Sequence, residues 1–178
     1  MASGPRTNPW FQECGDRIIR AGELVAFDTD LIGPFGYCAD ISRTFFCGPG
    51  RPSEAQRRLY ALAVEQLAHN TALLRPGAAF SEITERAWRI PEAYVANRYS
   101  NVVHGVGLAD EWPKVFHRED EAALAYDGVI EAGMTLCVES YIGEAGGREG
   151  VKLEQQLLVT ADGTVPLSTF PFEAELLD

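Results

Sequence analysis

An α+β domain is the fold class this sequence predicts, on three observations. Two apolar, strand-like runs come first, LVAFDTDLI at 24–32 and YCADISRTFFCG at 37–48. A stretch with apolar residues close to helical period follows them. Later come 101–108, read as strand or turn, 126–143, read as a loop and turn leading into a strand, and the strand-like run 151–160. Strands, then helices, then strands again is the order of an α+β architecture.

Residues 1–15 read as irregular, broken by Pro5, Pro9 and Gly15. The run 24–32 is apolar except for two aspartates, GPFG at 33–36 is turn chemistry, and 37–48 returns as the second arm of a hairpin. Ser53-Glu54-Ala55-Gln56 resembles a capping box, and Leu59, Leu62, Val64 and Leu67 give the following helix its apolar side. Pro76-Gly77 ends that segment. Ser81, with Glu82 and Glu85, opens a second helix that reaches Arg89 and stops before Pro91. NVVHGVGL at 101–108 is strand or turn. A turn at Ala132-Gly133 precedes one strand, and 151–160 is another, closed by a hairpin turn at Ala161-Asp162-Gly163.

With 178 residues, 46% hydrophobic and 23% charged, the chain reads as one soluble globular domain. A formal net charge of −11 argues against a nucleic-acid partner, which would be repelled. No apolar stretch is long enough to cross a membrane. The opening MASGPRTNPW lacks the basic and apolar regions of a signal peptide, and the four cysteines form no C-x-x-C pair. The expectation is a cytoplasmic protein with free thiols, in which Cys38 and Cys137 fill the core.

Acids stand where acids are costly. Asp28 and Asp30 are two apart and would share one face of a strand, and Asp40 on the partner strand can reach that face. Glu139 follows Leu136-Cys137-Val138, and Glu154 is set between Val151-Lys152-Leu153 and Leu157-Leu158-Val159. A buried carboxylate without a compensating charge costs several kcal/mol. Arg43 and Arg148 are the nearby candidates to pair with them, too few for five carboxylates. One or two divalent cations would satisfy the whole set, and oxygen-rich ligation with one imidazole, His104, suits manganese, iron, cobalt or zinc.

The blocks FDTDLIGPFGYCADISRTF, VVHGVGL, VIEAGMTLCVES and GVKLEQQLLVT resemble the pita-bread family of aminopeptidases, prolidases and creatinases. The resemblance implies a pita-bread fold with a dimetal centre, in which Asp40, His104, Glu139 and Glu154 are metal ligands. Two departures stand out. The peptidases separate their two aspartates by eleven residues, whereas Asp28 lies twelve and Asp30 ten before Asp40, with Thr29 in the usual place. The peptidases also carry histidines four residues before and seven after the ligand histidine, where this chain has Ser100 and Glu111. That argues against peptide hydrolysis by the usual route.

Both departures, and the opening SGPRTNPWFQECG, resemble the branch of dimethylsulfoniopropionate (DMSP) lyases. The branch implies the ligand set Asp28, Asp30, Asp40, His104, Glu139 and Glu154 for two divalent ions, iron before zinc, manganese or cobalt. It also implies Asp110 as the catalytic base and Tyr99 as a pocket residue. Tyr99 and Trp112 offer aromatic faces for a cationic substrate. The expected reaction is β-elimination of a small zwitterion to dimethyl sulfide and acrylate. An Xaa-Pro metallopeptidase and a non-catalytic binding protein are the alternatives. Relatives in the family dimerise and carry N-terminal elements ahead of the first aspartate, whereas 27 residues precede Asp28 here. The expectation is therefore residues 1–178 as the C-terminal catalytic portion of a longer protein, a homodimer when full-length, and weakly active as this piece alone.

Overall fold

The computed structural model describes residues 1–10, 14–124 and 126–178. The chain opens with β1 (Ala2–Ser3), then lays down β2 (Leu24–Asp28), the short strands β3 (Leu31–Ile32) and β4 (Cys38–Ala39), and β5 (Ser42–Phe46). The predicted hairpin is present but interrupted. β2 pairs antiparallel with β5, ending at Asp28 opposite Ser42, and β3 pairs separately with β4, with Leu31 opposite Ala39. The break falls at Thr29-Asp30 on one arm and Asp40-Ile41 on the other. The Thr29 hydroxyl donates to the Ile41 carbonyl at 3.0 Å across this gap.

Helix α1 (Glu54–Thr71) starts where the capping box predicts. Ser53 Oγ accepts from the Gln56 amide at 3.2 Å, and Gln56 Oε1 accepts from the Ser53 amide at 2.8 Å. Helix α2 (Phe80–Arg86) ends earlier than the sequence predicts, because the Trp88 amide donates to Asn70 Oδ1 at 2.8 Å instead of continuing the helix. A short α3 (Glu92–Val95) follows Pro91.

The remaining elements are β6 (Val103–Val106), β7 (Asp110–Val115), α4 (Arg118–Leu124), β8 (Thr135–Ile142), β9 (Val151–Thr160) and β10 (Gly163–Pro166). The five strands form one antiparallel sheet in the order β10-β9-β8-β6-β7, while β1, β2 and β5 form a second sheet. The sequence does not announce β7, which carries Pro113. An edge strand tolerates proline because one side of its ladder is unpaired, and β7 is at the edge.

Alternation along β8 and β9 sorts their side chains to two faces. Leu136, Val138, Leu153 and Leu157 join Tyr60, Ala63 and Leu67 of α1 in the hydrophobic core. Cys137, Glu139, Lys152 and Glu154 take the opposite face, against which β2 and β5 lie. Both faces are thus covered, which is why the β8 residues from Leu136 to Ile142 are all buried. Among the described residues no helix is long and apolar enough to cross a membrane.

Candidate metal centre

Register brings the polar residues of the inner face together. Glu139 stands directly opposite Glu154 across β8 and β9, and His104 stands opposite Cys137 across β6 and β8. His104, Glu139 and Glu154 are each at most 1% exposed, and Asp40 enters from the break between β4 and β5. His104 Nε2 lies 2.9 Å from Glu139 Oε1, 3.2 Å from Glu154 Oε1 and 3.7 Å from Asp40 Oδ2. Three of the expected ligands, Asp40, Glu139 and Glu154, therefore converge on the imidazole nitrogen of a fourth.

The two early aspartates reach the cluster by different routes. The strand stops at Asp28, so the shared-face argument for Asp28 and Asp30 does not hold; the tertiary fold places each separately. Asp28 Oδ1 accepts from Ser42 Oγ at 2.5 Å, and its Oδ2 is 3.7 Å from Lys152 Nζ. Asp30 is more exposed, with one oxygen in a group with oxygens of Asp40 and Asp110, all within 4.8 Å of one another. Asp110 opens β7, its Oδ1 3.9 Å from His104 Nδ1, and its side chain is 23% exposed.

Three site residues escaped the sequence reading. Lys152 is fully buried; its ammonium meets Glu139 Oε2 in a short contact, Ser42 Oγ at 2.9 Å and Glu154 Oε2 at 3.4 Å. Arg43 was, with Arg148, a candidate counter-charge, but its donors go to the carbonyls of Ser42, Glu154, Phe170 and Pro171 and to Gln155 Oε1. Lys152 was legible, since it shares parity with Glu154 on one strand. Ser42 bridges Asp28 and Glu154, donating to the first and 2.9 Å from the second. Cys137, expected as core filler, lies on the site face with its sulfur 3.5 Å from the Asp40 carbonyl. Its parity with Glu139 was the available signal.

Tyr99 and Trp112 diverge. Tyr99 is buried, with Lys152 Nζ 4.5 Å from its ring centre and its hydroxyl 3.3 Å from Glu111 Oε1. The cation on its face is thus the protein's own. Trp112 is 62% exposed and stacks on Tyr126 at 4.9 Å between ring centres. Glu111, at a peptidase histidine position, is held by Lys114 and Tyr99. Lys114 outweighs the effect of burial and keeps the Glu111 carboxyl below the usual range.

The electrostatics report too much negative charge for the protein's own cations. Burial, with Glu154 alongside, pushes the Asp40 carboxyl up to about 10. Burial and the Glu154 charge raise Glu139 to about 7. Burial alone would lower His104, but bonding to Glu139 and Glu154 outweighs it and takes the imidazole up to about 11. Glu154 is held well below the carboxylate range, because Lys152 and His104 outweigh its burial. Asp40 Oδ1 is buried without a hydrogen-bond partner. Such an oxygen normally finds one. Oxygens of Asp40 and Glu154, the His104 imidazole and the Cys137 sulfur lie within 4.8 Å of one another, and with one buried oxygen orphaned the set fits a divalent metal.

Antiparallel sheets enclosing a carboxylate and imidazole cluster define the pita-bread class of metal-dependent enzymes. The model of metallopeptidase family M24 matches residues 1–161, and the chain belongs to that family. It is 45% identical over 177 residues to the dimethylsulfoniopropionate lyase DddP of Roseovarius nubinhibens, covering 99% of this chain and 40% of that protein. It is 30% identical over 173 residues to the Xaa-Pro dipeptidase of Pyrococcus horikoshii, covering 94% of this chain and 46% of that one. The solved prolidase of Pyrococcus furiosus superposes with a TM-score of 0.78 at 26% identity, over 96% of this chain and 48% of that one. The chain thus spans less than half the length of these relatives.

Proposed function

We propose that this chain is the metal-binding catalytic portion of a DMSP lyase. The observation that carries the reading is the pair of substitutions at the peptidase histidine positions. Ser100 and Glu111 stand there, Glu111 is engaged by Lys114 and Tyr99, and Asp110 beside His104 keeps a part-exposed carboxylate. The identity to a DMSP lyase, higher than to a dipeptidase, supports the same choice.

Asp28, Asp30, Asp40, His104, Glu139 and Glu154 would hold two divalent ions, with iron the first choice. When bound, such ions supply Lewis-acid withdrawal of charge from a substrate carboxylate. Asp110 takes the proton from the carbon next to that carboxylate. The electron pair of the C–H bond forms the new double bond, and the C–S bond breaks toward sulfur. Dimethyl sulfide and acrylate leave, and Asp110 holds the proton until solvent takes it. Its partial exposure gives the proton a way out. Tyr99, beneath Lys152, shapes the buried side of the site; Trp112 contributes on the open side.

The test is gas chromatography of dimethyl sulfide from the metal-loaded chain with DMSP, beside an Asp110→Ala control. A rate above the blank is expected, falling at least about 100-fold in the control. Because the chain spans 40% of the lyase it resembles, a slow rate is expected. Wild-type release no faster than Asp110→Ala removes the lyase reading. Cleavage of an Xaa-Pro dipeptide without sulfide release would favour the peptidase alternative, which the dipeptidase relatives keep in view.

A further inference from the structure

Lys152 lies fully buried on the sheet's inner face, and its surroundings define a task that the reaction does not assign to it. Its ammonium is wholly withdrawn from water. Stripping an ammonium of its hydration costs several kcal/mol, so the surroundings must compensate. The compensation is specific. Glu139 and Glu154 each turn their Oε1 toward His104 and their Oε2 toward Lys152. Asp28 Oδ2 lies 3.7 Å away and Ser42 Oγ 2.9 Å away. Two aromatic faces complete the enclosure, Tyr99 at 4.5 Å and Trp10 at 5.8 Å from the nitrogen to the ring centres.

This arrangement divides the carboxylate oxygens between the His104 imidazole and the Lys152 ammonium. The oxygens facing His104 are left to converge with Asp40. The oxygens facing Lys152 are held from behind, so neither glutamate can swing away from its opposite across the β8–β9 pair. Without that ammonium, Glu139 and Glu154 would be two directly opposed buried acids, an arrangement that destabilises a strand pair.

We propose that Lys152 is a built-in counter-cation, a positioning residue that keeps the carboxylate cage assembled before any metal binds. The cage is therefore preformed in the metal-free protein, and metal enters an existing site instead of folding one. Replacing the lysine would transfer that task to the metal and couple folding to metal binding, as in small domains whose fold depends on an ion.

The experiment is thermal unfolding of chelator-treated protein, with and without added Mn²⁺, for wild type, Lys152→Met, Lys152→Arg and Lys152→Met/Glu139→Gln. Wild type is expected to unfold cooperatively without metal and to gain only modestly from Mn²⁺. Lys152→Met should lose on the order of 10 °C in the metal-free form, as expected when one partner of a buried ion pair is removed. Mn²⁺ should restore most of that loss. Lys152→Arg should retain part of the stability, and Glu139→Gln should rescue Lys152→Met by removing the charge left behind. Equal losses with and without Mn²⁺, and no rescue by Glu139→Gln, would reduce Lys152 to a packing residue and overturn the proposal. So would a metal-free Lys152→Met protein as stable as wild type. These readouts do not involve sulfide release, so they separate this claim from the lyase assignment.

Discussion

Gly105 follows the candidate ligand His104, and the close approach of β7 explains why it has no side chain. A Cβ built there would lie 2.1 Å from the Trp112 carbonyl oxygen and 2.5 Å from Pro113 Cδ, where ordinary contact starts at 3.4 Å. The obstacle is backbone and a proline ring, neither of which can rotate away. Gly105→Ala therefore has to push β7 off β6 by more than an ångström. That loosens the ladder around the His104–Lys114 pair and moves Asp110 at the head of β7. Overpacking of this kind costs about 1–3 kcal/mol, and a weakened ladder bond adds about 1 kcal/mol. For a chain of this size each kcal/mol lowers Tm by roughly 2–4 °C, so the expected fall is roughly 5–15 °C. Circular dichroism melting measures it. Gly107→Ala is the control, because a Cβ there meets nothing within 4 Å. A Gly105→Ala protein melting within about 2 °C of wild type, under the shift of a single kcal/mol, would refute the claim that β7 is pinned against His104.

Two further predictions concern stability away from the metal centre. Burial lowers the His117 imidazole from 6.5 to about 4, with Arg98 adding to the effect and Glu119 and Asp120 opposing it. A histidine depressed in the folded state lends stability that is complete above its unfolded value and is lost as pH falls from 6.5 through 4. Urea unfolding at pH 7 and pH 4 should show His117→Gln losing about 3 kcal/mol less than wild type over that range; equal losses would contradict the neutral buried imidazole. Ser53→Ala removes the cap of α1 and should cost about 1 kcal/mol, read as a Tm lower by roughly 2–4 °C. Its Mn²⁺ affinity, measured by chelator competition, should stay at the wild-type value, since α1 packs on the face of the sheet opposite Glu139 and Glu154; a large loss of affinity would show that α1 positions the cage.

The candidate ligands were visible in the sequence because isolated acids inside apolar strands are expensive, and that cost is local. Asp40, Glu139 and Glu154 each carry the anomaly in their own few neighbours, as does the capping box at Ser53. The α+β order of elements follows from periodicity, also a local property. What could not be read locally is who faces whom. Whether Cys137 fills the core or faces Asp40, whether Arg43 or Lys152 neutralises the glutamates, and whether Tyr99 offers its face to a substrate or to Lys152 depend on strand register. Register is a pairing between separate segments, such as Val103 with Val138, and a shift of one residue exchanges the two faces of a strand. The break at Thr29-Asp30 and Asp40-Ile41 is of the same kind, because it separates two ladders. Local composition therefore marks which acids are costly to bury. The tertiary structure decided that a lysine of the chain meets part of that cost, through an antiparallel register that sets Glu139 opposite Glu154 with Lys152 beside them.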